Sequence, residues 1–173
     1  MSGVPFGLPA QVLGDNAEQW QALVFGMTCR IYPDPQRCNP RPLWAALDAR
    51  GLRSPRMIGW WEGAACPVRV VLADAGGDAQ PVRATLFVGT LPTGGKSFAI
   101  AIANWAPHSV SFTLGYDWPA LAALGLTTSA AAARLQAPSV ASFQQEGEWA
   151  VGARLTLQSK RSGFNEGWLL WLV

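Results

Sequence analysis

The sequence has few charged residues, and this scarcity excludes a class of partner. Only 14% of its 173 residues are charged and the net charge at pH 7 is +2. Arginine and lysine do not gather into the basic face that nucleic-acid binding requires, so we expect no nucleic-acid partner. Half of the residues are hydrophobic, which excludes disorder and allows a sizeable core.

Cysteine and histidine are scarce as well. The three cysteines, Cys29, Cys38 and Cys66, form no CxxC pair, and His108 is the only histidine. Too few ligands remain for a zinc site, and we expect no metal and no cofactor. A Cys29–Cys38 disulfide stays open beside the preferred alternative of free buried thiols. His108 lies in the turn APHSV without a GxSxG motif, which favours an exposed turn histidine over a catalytic triad.

Long apolar runs are missing too. No stretch of about 18 apolar residues occurs, so we expect no membrane partner. The first thirty residues contain no basic leader followed by an apolar stretch, and no signal peptide is visible. The compartment therefore stays open.

Tryptophan, in contrast, is abundant, with nine residues against two tyrosines. Such a chain either packs heavily or stacks on flat ligands such as sugar rings. The candidates for stacking on carbohydrate are Trp60, Trp61, Trp105 and Trp149.

The periodicity changes near residue 55. Before it, Asp15 and Glu18 form a capping-box pattern ahead of a helix that contains Trp20. A second helix is predicted in NPRPLWAALDARGL, residues 39–52, with Gly51 at its end. Residues 25–37 between them suit one strand and a loop. Residues 1–55 thus predict a helix–strand–helix piece too small to enclose its own core, which is either the end of something larger or a cover for the remainder of the chain.

From residue 66 onward the pattern switches to period two, in six or more short segments separated by turn signals. The segments include CPVRVVL, VRATLFV, SFAIAIANW, SVSFTLGYDW, ARLTLQ and GWLLWLV. Only residues 118–125 interrupt the series, as one short helix. The pattern predicts a mainly β protein, with an antiparallel β-sandwich as its second domain.

Motifs for chemistry are weak. GTLPTGGKS, residues 89–97, is one residue too long for a phosphate-binding loop and precedes a strand, which favours a hairpin turn. Glycoside hydrolysis needs two carboxylates about 5–10 Å apart. The candidate carboxylates near aromatic residues are Asp34, Asp48, Glu62 and Asp117. Asp48 and Asp117 suit helix surfaces or ends, and Glu62 has no second acid near it in sequence. We therefore expect no catalytic residue in this chain.

Several segments together resemble a known family. They are FGMTCR, NPRPLWAALDARGL, RMIGWW with the following CPV, ATLFV, FAIAIANWAP, YDWPALAALGL, LQAPSVASFQ and GWLLWLV. In this order they resemble the C-terminal part of bacterial glycoside-hydrolase-like proteins akin to glycoside hydrolase family 123. The resemblance implies that residues 20–53 are the last helix–strand–helix of a (β/α)8 barrel and residues 56–173 its appended sandwich.

The same resemblance implies positions for substrate contacts. If TCRIY is a barrel strand, Thr28, Arg30 and Asp34 lie at its active-site end, with Arg30 donating to a hydroxyl or a carboxylate. An arginine paired with Asp34 is the alternative. Trp60 and Trp61 would lie in an extended seam between barrel and sandwich and point to opposite sides, with a sugar platform as the alternative.

Three functions stay open at this point. The first is a non-catalytic accessory region that stabilises the carbohydrate-active barrel of a parent glycoside hydrolase. The second is a carbohydrate-binding sandwich. The third is a stand-alone interaction protein whose helical N-terminus, with apolar faces around Trp20 and Trp44, binds a partner chain or a second copy of itself.

Overall fold

The computed structural model describes most of the chain. The described residues are 19–28, 39–72, 80–141, 143–158 and 167–173. Within them lie three α-helices, one 3-10 helix and nine strands. The helices are α1 (Gln19–Val24), α2 (Arg41–Ala49), the 3-10 helix (Trp60–Ala65) and α3 (Trp118–Ala123). The strands are β1 (Arg56–Gly59), β2 (Val68–Leu72), β3 (Val82–Thr90), β4 (Lys96–Asn104), β5 (Val110–Tyr116), β6 (Arg134–Ala137), β7 (Gly147–Ala150), β8 (Leu155–Leu157) and β9 (Gly167–Leu172).

The strands form two antiparallel sheets. One has six strands in the order β1-β3-β4-β9-β6-β7, and the other has three in the order β2-β5-β8. One face of the larger sheet packs against the smaller sheet, which is the arrangement of a β-sandwich. The prediction of a mainly β, antiparallel sandwich is confirmed.

The core between the sheets contains the residues that the period-two pattern selects. Large side chains from both sheets meet there, and most of them are fully buried. The central members are Leu86, Ile100, Ile102, Phe112, Leu135, Leu157 and Leu170. Helix α3 adds Leu121 to the same core. Burial of this apolar surface is the main favourable contribution to folding.

The second face of the large sheet is buried as well, because α1 and α2 cover it. Its side chains include the alanines of β4, Ala99, Ala101 and Ala103, which are small enough to let α1 approach. Trp20 of α1 is only 2% exposed. The hypothesis of an unburied apolar face around Trp20 is therefore wrong, and α1 and α2 cover the sandwich on this side.

Glycines with positive φ lie just beyond the end of α2 and in the turn between β3 and β4. Helix α2 ends at Ala49, and Gly51 just beyond it has a φ of 66° and leaves no space for a side chain beside Thr90. The segment 91–95 joins β3 and β4 as a hairpin turn, with Gly94 and Gly95 at positive φ. This confirms the hairpin interpretation of GTLPTGGKS over a phosphate-binding loop.

Some predictions lie outside the described residues. These include the Asp15 capping box, most of the predicted strand TCRIY, Arg30, Asp34, Cys29 and Cys38. Thr28 at the start of that segment is described and is not in a strand. The barrel origin of the helical piece and the division between residues 55 and 56 stay predictions.

Candidate functional site

An aromatic cluster lies where α1, the 3-10 helix and the end of β4 meet. It consists of Phe25, Trp60, Trp61 and Trp105, all partly buried. The ring of Phe25 stacks on Trp61, with centroids 5.8 Å apart and planes at 6°. Phe25 also contacts Trp60 and Trp105 edge-on, at 6.4 and 6.3 Å. Three of the four tryptophan candidates are thus brought together, around a phenylalanine that the sequence did not single out.

Arg83 of β3 belongs to the same cluster. Its guanidinium carbon lies 3.9 Å from the ring centroid of Trp60 and 5.1 Å from that of Trp105. Both distances fall in the range of cation–π attraction. Within the described part of the chain, no carboxylate lies within 4.0 Å of this guanidinium. Among the described residues, Arg83 therefore contacts aromatic rings and forms no ion pair.

A hydrogen bond between the backbone and Glu62 explains why Trp60 and Trp61 lie in a helical turn and not in a strand. Glu62 accepts a hydrogen bond from the backbone N–H of Gly59 at 3.0 Å, which fixes the start of the 3-10 helix. Trp60 and Trp61 therefore lie in a helical turn between β1 and β2, and their ring planes are 79° apart. The prediction of an extended segment ahead of the first sandwich strand is wrong. Short-range capping by Glu62 overrides the extended conformation that joins two strands.

A groove lies beside this cluster, and we name it the basic groove. The 3-10 helix, β2 and the beginning of β3 border it, and its volume is about 360 Å³. Its polar lining comes from Arg69, Gln80 and Arg83, and its less polar lining includes Trp60, Cys66 and Ala84. The described residues that line it include two arginines and no acid, and the nearby carboxylate of Glu62 also acts on Cys66 in this lining.

Cys66 is the buried thiol at the base of this groove. It is free, and its Sγ lies 3.1 Å from the backbone oxygen of Val68. Burial raises the pKa of Cys66 above its ordinary value, which keeps the thiol protonated and poorly nucleophilic. The preference for a buried free thiol is confirmed for Cys66, and Cys29 and Cys38 lie outside the described residues.

Trp149 lies elsewhere, near the β7 edge of the large sheet. Its ring packs edge-on against Trp168 with centroids 5.1 Å apart, and it covers Gly147 on its own strand. Both tryptophans pack against the core between the sheets. Trp149 therefore does not join the aromatic cluster.

Of the three candidate substrate contacts, the described residues include only Thr28. Its hydroxyl accepts a hydrogen bond from Nε1 of Trp44 at 3.0 Å. The indole of Trp44 is 41% exposed, so this pair lies at the surface next to α2. The roles of Thr28, Arg30 and Asp34 at a substrate stay predictions.

The candidate carboxylates have structural contacts. Asp48 lies 4.0 Å from Arg53 at the surface, and Asp117 accepts a hydrogen bond from the backbone N–H of Ala120 at the start of α3. Glu62 caps the 3-10 helix. Each is engaged with a neighbour on its own segment, as expected for helix ends and surfaces.

Metal ligands and membrane-spanning helices are absent from the described residues. No group of three or more histidine, cysteine, aspartate or glutamate residues is arranged there to hold a metal ion. No helix in the described ranges has the length and apolar character needed to cross a membrane.

The fold and the cluster define the class of this protein as an antiparallel β-sandwich domain with a helical cover. The family model described as Glycoside hydrolase 123, C-terminal domain, matches residues 39–173. This is well over half of the chain, so the protein belongs to that family and is a glycoside hydrolase-associated domain. Neither the curated proteins nor the solved structures contain a match to the chain.

Proposed function

We propose that this domain is a non-catalytic accessory region, which packs against a carbohydrate-active barrel and stabilises it. The observation that carries the proposal is membership of a C-terminal domain family of glycoside hydrolases. The contacts of Asp48, Glu62 and Asp117 support the non-catalytic part, because each carboxylate has a structural neighbour.

The surface around α2 supports a role in packing. Trp44 is 41% exposed although tryptophan has the largest apolar area of any side chain. Its Nε1 is already bonded to Thr28 within the chain, so a partner surface would need to bury only the apolar ring. The barrel of a parent protein, or a separate partner chain, would supply that surface. In the second case the domain acts as an interaction protein.

Hydrolysis assays test the non-catalytic proposal. The isolated chain is incubated with a panel of aryl glycosides, and release of the aryl group is followed by absorbance. We expect no release above the buffer rate. Turnover that scales with protein concentration and disappears in a Glu62→Gln or Asp117→Asn variant would contradict the proposal.

Carbohydrate binding is a second candidate, favoured by the partial exposure of Trp60, Trp61 and Trp105 in one cluster. Rings with one accessible face stack on pyranose rings. Titration with a panel of neutral glycans, followed by tryptophan fluorescence, tests this candidate. A flat response across the panel would remove neutral sugars as ligands.

A further inference from the structure

The guanidinium of Arg83 is oriented but its hydrogen-bonding edge is unused. Its carbon lies 3.9 Å from the ring centroid of Trp60 and 5.1 Å from that of Trp105, so contact with these aromatic rings limits where the guanidinium can lie. The described residues supply neither a hydrogen-bond acceptor nor an acid to its N–H donors. An arginine fixed in this way is pre-organised to receive a planar, two-oxygen anion.

A second arginine lines the same groove. Arg69 uses one terminal nitrogen to donate to the backbone oxygen of Ala64 at 3.0 Å. Within the described ranges it also has no carboxylate within 4.0 Å. Two guanidinium groups thus line one groove, and none of the described residues in its lining is acidic. A bound anion would be attracted to both of them.

The groove also has an open strand edge. Strand β1 ends at Gly59 opposite Thr85, so no described strand pairs with residues 82–84 of β3 on that side. Backbone polar groups of this segment therefore border the groove beside the amide of Gln80, whose Nε2 already donates to the carbonyl oxygen of Val70. The hydroxyl groups of a ligand can form hydrogen bonds with these groups, because each hydroxyl can both donate and accept a hydrogen bond.

We propose that the basic groove binds an acidic saccharide of the uronic acid class, with Arg83 and Arg69 binding its carboxylate. The volume of about 360 Å³ exceeds what a simple anion needs and falls in the range of small-molecule sites. The ring of the sugar lies against Trp60 and the apolar side chains, and its hydroxyls meet Gln80 and the strand edge. This inference rests on the second candidate function and names its ligand class.

Calorimetric titration of the full chain tests the proposal, with sodium D-glucuronate as the probe. D-glucose has the same ring without the carboxylate, and sodium acetate has the carboxylate without the ring. All titrations are done at one ionic strength, since charged contacts are screened by salt. We expect saturable binding of glucuronate and at least about tenfold weaker binding of either control. Glucose lacks the hydrogen bonds between the carboxylate and the arginines, and such bonds to a charged group contribute about that much. Acetate keeps the carboxylate but lacks the contacts of the sugar ring.

Three variants locate the site. Arg83→Gln and Arg69→Gln should each weaken glucuronate binding by about tenfold or more, and Arg154→Gln is the control because Arg154 is an exposed arginine outside the groove. Arg83→Lys keeps the charge but loses the planar fork, so it should weaken binding while the fold is retained. A cooperative thermal unfolding transition shows that each variant is folded. If Arg83→Gln does not fold, the Arg69→Gln variant still tests whether the groove binds the carboxylate.

The outcomes separate this inference from the functions on which it rests. No saturable binding of glucuronate, or unchanged affinity in folded Arg69→Gln and Arg83→Lys variants, would overturn it. Equal affinity for acetate would also overturn it, because the ring would then contribute nothing. Binding of neutral glycans together with no response to glucuronate would leave the second candidate function standing and remove only the acidic ligand.

Discussion

The side chain of Gln144 binds both backbone polar groups of Leu169. Its Oε1 accepts a hydrogen bond from the N–H of Leu169 at 2.9 Å, and its Nε2 donates to the carbonyl oxygen of Leu169 at 3.0 Å. Strand β6 pairs with β9 only at Leu172 and Trp171, so Leu169 lies beyond that ladder. The amide of Gln144 therefore takes the place of a missing strand residue next to β9.

Replacing Gln144 by alanine should lower the free energy of unfolding by about 2–4 kcal/mol. The substitution leaves a buried N–H and a buried carbonyl without partners, and each costs about 1–3 kcal/mol. Urea unfolding followed by tryptophan fluorescence measures the loss. Gln145→Ala is the matched control, since Gln145 is exposed and adjacent, and its effect should stay within about 0.5 kcal/mol. Equal losses in the two variants would contradict the role of Gln144.

Gly167 allows α1 to pack on the sheet. A Cβ at this position would overlap Trp20 and the backbone oxygen of Ile102. We expect Gly167→Ala to destabilise the fold by about 1–3 kcal/mol, because the overlap has no flexible side-chain end to absorb it. Gly115→Ala in β5 is the control, since its Cβ would make an ordinary contact with Val71 at 3.4 Å.

Thermal unfolding of the two glycine variants gives the comparison. A shift confined to Gly167→Ala supports close packing of α1 on β9. An unchanged midpoint in Gly167→Ala would mean that α1 does not lie against this strand.

Strands could be predicted where the hydrophobic pattern of the sequence was strong. They could not be predicted where contacts with distant parts of the chain determine the local structure. Strands β3, β4 and β5 alternate over seven or more residues, so period two identifies them, whereas β9 is recognisable as a continuous apolar run. β1, β6 and β7 have four residues each, which is too short for a pattern. A helical cover was one of two alternatives for the first part of the chain, but the face that it buries was not predicted. The alanines of β4 show no helix-packing role until α1 is seen to contact them.

The candidate site was predicted in part. Trp60, Trp61 and Trp105 were selected as aromatic candidates, and the structure brings them together. Phe25 and Arg83 were missed, because their contacts join segments that are far apart in the sequence. One feature of the sequence did point to Arg83. It is a charged residue within the predicted strand β3, and the residues before and after it, Val82 and Ala84, are buried.

Tyr116 should make the stability of the fold decline at high pH. Burial raises the pKa of its phenol above the ordinary value of about 10. The folded-state pKa is the higher one, so the unfolded chain releases the proton first. The contribution is fully present below about pH 10 and is lost as the pH rises above it, by at most about 1.4 kcal/mol per pH unit.

Tyr116→Phe checks this expectation. The hydroxyl has no hydrogen-bond partner among the described residues, and the ring stacks on Trp118 with centroids 5.2 Å apart. Phenylalanine keeps the stacking, so the variant should be as stable as the parent or slightly more stable at pH 8, and should gain relative to it from pH 10 to 11. Parallel stability curves for the two proteins over this range would contradict the expectation. Other groups, Cys66 included, titrate in both proteins and cancel in the difference.

Asp117 and Asp48 form a pair of acids that distinguishes capping from surface charge. The Oδ1 of Asp117 accepts from the backbone N–H of Ala120 at 3.0 Å, which is an N-cap contact for α3. Asp48 has only the exposed contact with Arg53 at 4.0 Å. Asp117→Ala should therefore cost about 1 kcal/mol, and Asp48→Ala less than about 0.5 kcal/mol.

Asp117→Asn completes the test of this prediction. Asparagine caps a helix about as well as aspartate, so this variant should recover most of the stability that alanine loses, as measured by urea unfolding. An asparagine variant as unstable as the alanine variant would mean that the charge of Asp117, and not its capping bond, is what matters. Recovery would show that Asp117 stabilises α3 through its capping hydrogen bond, which is a structural role for this carboxylate.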